Sequence, residues 1–285
     1  MKFNKLNAEE IRIIEHKGTE LPFSGKYNNF YQDGVFLCKK CGNRLFRSKD
    51  KFNSNSGWPS FDDAIEGGVK EVLDRDGRRI EIICARCGGH LGHVFRGEQF
   101  TAKNTRHCVN SLSLTFEPFE NSPKYKRAYF AGGCFWGVEY WFLKLDGVYG
   151  AYSGYMGGEL ENPTYADVCR GDSGHIETVE VIYDNKKISY ENLVKFFFEI
   201  HNPEQINGQG PDIGSQYISA IFYNTPQERL IAQKLINELE DKGMKIVTKL
   251  IDATKHKFYK AEEEHQNYYN LRGLKPYCHK YIKRF

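Results

Sequence analysis

Long hydrophobic runs are missing from this 285-residue sequence. No stretch approaches the ~18 consecutive apolar residues of a membrane-spanning helix, and the mean hydropathy is −0.61, so no membrane association is expected. An excess of charge of one sign is missing too. Forty basic and 37 acidic residues leave +3, divided as 19 against 16 up to residue 120 and 21 against 21 beyond it. Nucleic-acid binding calls for clustered Lys and Arg, and Lys39-Lys40 and Arg78-Arg79 read instead as solvated faces, so no nucleic acid is expected as a partner. The opening MKFNKLNAEEIRII has no apolar stretch behind its basic start, so the expected compartment is the reducing cytoplasm rather than the secretory route. Eight cysteines are too few for a disulfide scaffold, and no internal repeat is visible.

What is present divides into two textures. At about 150 residues per domain, the length favours two domains, and the change falls at Glu117–Pro123, where two prolines bracket polar residues. We expect domains over 1–120 and 127–285 with a linker at 121–126. The first is punctuated by glycine turns and short β-favouring runs (Gly34–Leu37, Arg79–Ile83 and the alternating Ser111–Phe116), and reads as mainly antiparallel β. The second opens with a strand at Ala128–Ala131, a Gly-Gly turn and a helix at Cys134–Leu145, whose apolar residues recur at helical spacing. A strand at Glu177–Tyr183, helices at Tyr190–Ile200 and Gln227–Lys242 and a long loop at Asn202–Gly214 follow. The fold class is thus α+β in two domains, the second an α/β unit with a mixed sheet.

Four of the cysteines form two CxxC pairs, Cys38/Cys41 and Cys84/Cys87, each followed by a glycine that lets the chain turn back. Four thiolates can enclose one Zn²⁺ tetrahedrally, and such a site has no position left for water or substrate. A structural zinc is expected. Two disulfides, a redox CxxC, or a zinc ribbon that binds nucleic acid are the competing readings of the same spacing.

Two further cysteines have the surroundings of nucleophiles. Cys108 lies between His107 and Val109 with Arg106 nearby, and cationic neighbours favour thiolate. Cys134, in Gly132-Gly-Cys-Phe-Trp-Gly137, stands at the start of a helix, where free N–H groups and the helix dipole favour an anion. The bland alternative is that Cys134, Phe135 and Trp136 merely begin a buried helix.

The runs PFSGKYNNFYQDGVFLCKKCG, KFNSNSGWPSFDDAI, CARCGGHLGHVF and RHCVNSLSLTF together resemble methionine sulfoxide reductase B over nearly all of residues 19–118. That resemblance implies a zinc-bearing β domain reducing the R-epimer of methionine sulfoxide. Cys108 would be its nucleophile, with Trp58, His90, His93 and Asn110 around the substrate. Many members carry a resolving cysteine where this chain has Ser56, and serine cannot form a disulfide.

The GCFWG run, Gly154–Gly158, Asn162–Cys169, Gly174–Glu177, Asp212–Tyr217 and Ala261–Gln266 resemble methionine sulfoxide reductase A from Ala128 to about Tyr281. This implies a ferredoxin-like core, a pocket for the substrate methyl group formed by Phe135 and Trp136, and Glu177, Tyr165 and Tyr217 addressing the sulfoxide oxygen with Asp212 in support. It also implies that Cys278 resolves the oxidised Cys134, and that Cys169 packs. Oxidised proteins and free methionine sulfoxide are the expected substrates and thioredoxin the expected reductant. Two other classes compete: a zinc-dependent binding module fused to a thiol redox domain, and a general thiol peroxidase.

Overall fold

A computed structural model describes residues 3–120 and 122–285. The chain separates into two compact units, Met1–Ser122 and Pro123–Phe285.

The first unit opens with a helix that the composition reading passes over, α1 (Ala8–Ile14). Asn7 and Glu10 form a capping box, Asn7 Oδ1 accepting from the Glu10 N–H at 2.8 Å and Glu10 Oε2 from the Asn7 N–H at 2.9 Å. This satisfies two N–H groups that the first turn would otherwise leave open. Then follow β1 (Gly34–Cys38), β2 (Arg44–Arg47), β3 (Lys51–Phe52), β4 (Ser60–Phe61), β5 (Val69–Leu73), β6 (Ile80–Cys84), β7 (His90–Arg96), β8 (Thr105–Val109) and β9 (Leu114–Pro118). They form a three-stranded sheet, order β2-β1-β9, and a six-stranded one, order β3-β4-β8-β7-β6-β5. Every pairing is antiparallel. Phe36, Phe46, Phe61, Ile82, Leu91 and Val109 fill the core. The last strand starts at Leu114 rather than Ser111 because Ser111–Ser113 form a 3₁₀ turn. Its hydroxyls bond to backbone, Ser113 to the His90 carbonyl at 2.9 Å and Ser111 from the Tyr27 N–H at 3.2 Å.

The second unit contains β10 (Tyr125–Gly132), α2 (Phe135–Phe142), β11 (Val148–Met156), α3 (Tyr165–Cys169), β12 (Ile176–Asp184), α4 (Tyr190–Ile200), β13 (Gly208–Gln209), β14 (Asp212–Ile213), β15 (Ser219–Tyr223), α5 (Pro226–Asp241), β16 (Lys249–Asp252), β17 (Tyr259–Lys260) and α6 (Tyr268–Arg272). Tyr125 and Lys126, expected in the linker, are the first residues of β10. The main sheet runs β16-β15-β10-β12-β11-β17 and is mixed, with β15 and β16 its one parallel pair. Helix α2 stops three residues before Leu145 because its end tightens: Lys144 and Leu145 donate to the carbonyls three residues back, each at 3.1 Å. The expected loop at Asn202–Gly214 holds the β13–β14 hairpin. Beyond α6 the tail has no regular structure and is tied down by the Ile282 N–H to the Glu199 carbonyl at 2.7 Å. Among the described residues no helix is long and apolar enough to cross a membrane.

Candidate active sites and metal centre

The four CxxC cysteines converge. Their sulfurs lie within 4.8 Å of one another, and Cys38–Cys87 and Cys41–Cys84 are each 3.6 Å apart. Sulfurs tetrahedrally placed about a metal at 2.3 Å would be about 3.8 Å apart, so the cluster can hold a metal ion. The two knuckles are built alike. Gly42 donates to the Cys38 carbonyl and Gly88 to that of Cys84, and both glycines have φ +70°, a left-handed conformation open to glycine at little cost. All four thiols are free of disulfides. The hydrogen bond to Cys84 and burial raise the Cys38 thiol, burial raises that of Cys41, and the same bond from Cys38 pulls Cys84 down to about 4.

Cys108 sits on β8, directly opposite His93 of β7 on one side and Ser60 of β4 on the other. Residues paired this way share one face of the sheet. The face opens on a cavity of about 130 Å³ lined by Trp58, Arg79, His93, Phe95, Cys108 and Asn110, among others. The strands approach so closely here that a Cβ at Gly92, φ +155°, would stand 2.0 Å from the Cys108 carbonyl oxygen. His93 donates from Nε2 to Asp74 at 2.7 Å; that bond holds the Asp74 carboxyl below its ordinary value. His90 takes another position. It is 2% exposed, lies behind the cavity edge-on to His93 with ring centres 5.6 Å apart, and bonds through Nδ1 to Glu81 at 2.7 Å, which also pairs with Lys17 at 2.6 Å. The Asn110 amide braces backbone, accepting from the Glu20 N–H at 3.0 Å and donating to the Leu91 carbonyl at 3.1 Å. The Trp58 indole is held by the Glu20 carbonyl at 3.2 Å.

The environment of Cys108 differs from the one expected. Burial raises its thiol, and only Arg106 and the Ser56 hydroxyl act the other way. His107 contributes nothing because successive strand residues point to opposite faces; it bonds to the Phe61 carbonyl and packs on Phe46. Ser56, at the place of the missing cysteine, ends a chain of hydroxyls: Ser54 donates to Ser56 at 2.8 Å and meets Ser60 at 2.7 Å.

Cys134 caps α2 and is 6% exposed. Its sulfur, that of Cys278 and a carboxylate oxygen of Asp212 lie within 4.8 Å of one another, so the tail cysteine is already docked. Asp212 is held from outside by the Tyr277 hydroxyl at 3.0 Å. The helix terminus does not produce the expected thiolate at Cys134. The hydrogen bond to Cys278, burial and Glu177 push Cys134 well up, against the opposing Trp136 N–H, while the same bond draws Cys278 down to about 6. The first free N–H of the helix, that of Phe135, donates to Glu177 Oε2 at 2.9 Å. Glu177 is 1% exposed, and burial pushes its carboxyl up to about 8, so it holds a proton at neutrality.

Aromatic rings cluster around the start of α2 beside this pair. Trp136 stacks on Tyr268 with centres 3.8 Å apart, and Phe135 and Trp136 both lie roughly parallel to Tyr165 at 6.2 and 6.5 Å. Burial and the Glu177 carboxyl raise the phenols of Tyr165 and Tyr217. Sequence reasoning missed Tyr268 and Glu262. Glu262 accepts from the Tyr165 N–H and the Tyr155 hydroxyl, each at 2.8 Å; it stood in the quoted Ala261–Gln266 run without a role. Cys169 is exposed beside Tyr165 rather than packed.

Comparison with known proteins separates the same two units. A peptide methionine sulfoxide reductase model matches residues 126–285 and a SelR domain model residues 6–118. The chain is 54% identical over 114 residues to peptide methionine sulfoxide reductase B5 of Oryza sativa, covering 40% of this chain and 84% of that protein. It is 48% identical over 156 residues to an MsrA of Vesicomyosocius okutanii, covering 55% and 93%. Among solved structures, reduced Mxr1 from Saccharomyces cerevisiae aligns with a TM-score of 0.53 at 35% identity over 57% of this chain and 95% of its own. Methionine sulfoxide reductase A of Corynebacterium diphtheriae gives 0.50 at 36% over 55% and 79%. The chain belongs to the peptide methionine sulfoxide reductase family, with a SelR domain of the B type preceding a domain of the A type.

Proposed function

We propose that Cys108 reduces the R-epimer and Cys134 the S-epimer of methionine sulfoxide, in oxidised proteins and in the free amino acid, with the domain boundary within 121–126. The observation that carries this reading is the setting of each cysteine: Cys108 faces a cavity opposite His93, which Asp74 holds, and Cys134 caps α2 where protonated Glu177 takes the first N–H. Attack of sulfur on a sulfoxide requires a proton at the departing oxygen. At Cys134, the thiolate forms as its proton leaves through Cys278, the sulfur attacks, Glu177 protonates the oxygen with Tyr165 and Tyr217 bonded to it, and methionine departs. The product is a sulfenic acid on Cys134. Cys278 then attacks it, and thioredoxin reduces the resulting disulfide by thiol–disulfide exchange. At Cys108 the same first step leaves a sulfenic acid that Ser56 cannot resolve, so the reductant meets it directly.

Cys38, Cys41, Cys84 and Cys87 would hold a structural Zn²⁺, which when bound supplies a cross-link between two turns and no chemistry to substrate. Thiols that must stay reduced support a cytoplasmic location for the chain. Epimer-resolved assays test the reading: Cys134→Ser abolishes reduction of the S-epimer and spares the R-epimer, and Cys108→Ser does the reverse. Equal losses on both epimers in either variant would overturn it.

A further inference from the structure

Cys278 and His279 are consecutive in the tail, yet both side chains are buried, at 8% and 2% exposure. The irregular backbone beyond α6 lets neighbours point the same way, as a strand would not. The imidazole is fixed at both ends. Nε2 lies 2.8 Å from the Gly132 carbonyl oxygen, and Nδ1 lies 3.0 Å from Cys278 Sγ. A carbonyl only accepts, so Nε2 carries the hydrogen and Nδ1 turns its lone pair toward the thiol. Space for this ring is reserved in the GCFWG run. A Cβ at Gly137 would stand 2.2 Å from His279 Nδ1; mid-helix glycine costs ~0.5–1 kcal/mol relative to alanine, and here it admits the ring. The Gln209 side-chain amide holds the Cys278 carbonyl at 3.2 Å.

We infer that His279 is the general base that activates Cys278 in the resolving step, a nucleophile, base and orienting group in one line. The inference rests on the reading that Cys278 resolves oxidised Cys134. His279 Nδ1 removes the Cys278 thiol proton as that sulfur attacks Cys134 Sγ. The S–S bond forms, the S–O bond of the sulfenic acid breaks, and the oxygen leaves as water with the proton carried by the imidazolium. Cys278 sulfur is oxidised and Cys134 sulfur reduced, with no outside oxidant. The titratable groups facing the pair are Cys134, Asp212, Glu177, His201, Tyr269 and Tyr277. Of these, His201 is held neutral by burial, its pKa lowered to about 3.

The test is a rapid-quench single turnover of reduced full-length His279→Gln with free methionine-S-sulfoxide, following methionine released and disulfide formed in the same samples. The ratio of the disulfide rate to the methionine rate falls ~100-fold at about neutral pH. It then climbs about tenfold per pH unit toward the ordinary thiol value near 8.5, in contrast to a shallow parental profile. A purely structural histidine would leave that profile unchanged, and an unchanged ratio and profile would overturn the inference. Should the variant not fold, Gly137→Ala displaces Nδ1 by the same contact and is read the same way. Cys278→Ala separates the two levels. Continued cycling of that variant with thioredoxin would sink the resolving role itself; arrest after one turnover, with His279→Gln at parental rate and profile, would sink only the role of His279.

Discussion

Replacing Glu177 by Gln sets stability against activity in one experiment. The carboxyl is 1% exposed and its pKa is raised from 4.5 to about 8, chiefly by burial. The folded state therefore prefers the protonated acid, while the unfolded chain ionises above 4.5. The stabilisation is complete below 4.5 and is lost progressively as the pH rises from 4.5 to about 8. At pH 7 the loss amounts to about 3 kcal/mol, from the two titration curves. Gln keeps an oxygen for the Phe135 N–H, which now reaches Glu177 at 2.9 Å, and it cannot ionise. The variant should thus melt higher near pH 7, by ~6–12 °C at ~2–4 °C per kcal/mol, and show no gain near pH 4. Reduction of the S-epimer should fall ~10²–10⁴-fold, the usual weight of one positioned acid, with R-epimer reduction on the same chain as internal control. In the parent the S-epimer rate should decline as pH rises through about 8. Differential scanning calorimetry against pH with epimer-resolved assays checks both halves. A variant that melts lower at pH 7, or an S-epimer rate still rising above pH 9, would refute a carboxyl held neutral by burial.

Three further outcomes are expected. Ser56→Cys places a thiol where the Ser56 hydroxyl reaches Cys108, so substrate-oxidised protein should show a disulfide between these positions by peptide mass mapping, with thioredoxin-supported R-epimer turnover several-fold higher. Cys41→Ser breaks a cluster whose sulfurs lie within 4.8 Å, and should abolish the bound Zn²⁺ measured by atomic absorption. The first unit's melting transition should collapse, since structural zinc supplies on the order of 10 kcal/mol in small metal-folded domains, while S-epimer reduction remains. Gly92→Ala drives a Cβ to 2.0 Å from the Cys108 carbonyl oxygen at φ +155°; denaturant titration should show a loss of about 2–4 kcal/mol from strain and overpacking.

Much of the fold was legible because its signals are local. The paired CxxC spacing, the β-favouring run of β12 and the Pro226 entry to α5 each act within a few residues. The charge state of the nucleophiles was not legible, because it depends on burial and on partners far along the chain. Cys134 looks like an activated helix-cap thiol until Glu177 occupies the first N–H and Cys278 arrives from 144 positions away. Cys108 looks flanked by two cations until the strand turns His107 to the other face. Glu262 and Tyr268 were invisible for a related reason. They hold the aromatic cluster by hydrogen bonds to Tyr165 and Tyr155 and by stacking on Trp136, which no spacing within their own segment announces.

The two sites therefore solve unequal problems after the same first step. Cys108 is half-buried and opens on a cavity, so a sulfenic acid there is within reach of an outside thiol, with the Ser56 hydroxyl as its neighbour. Cys134 is 6% exposed and Cys278 8%, so a disulfide between them is shielded from the same reductant unless one partner moves. Cys134 caps α2, its carbonyl accepting from the Gly137 N–H at 3.1 Å, and is held by that helix. Cys278 lies on irregular chain between α6 and the anchor at Ile282, where the Gln209 amide, the Tyr277 hydroxyl on Asp212 and the His279 bond to Gly132 tie it down. Segments with few buried contacts open locally at low free energy. On the proposed mechanism, reduction of a Cys134–Cys278 disulfide requires residues 274–281 to open, and strengthening those ties should slow recycling by thioredoxin without slowing release of the first methionine.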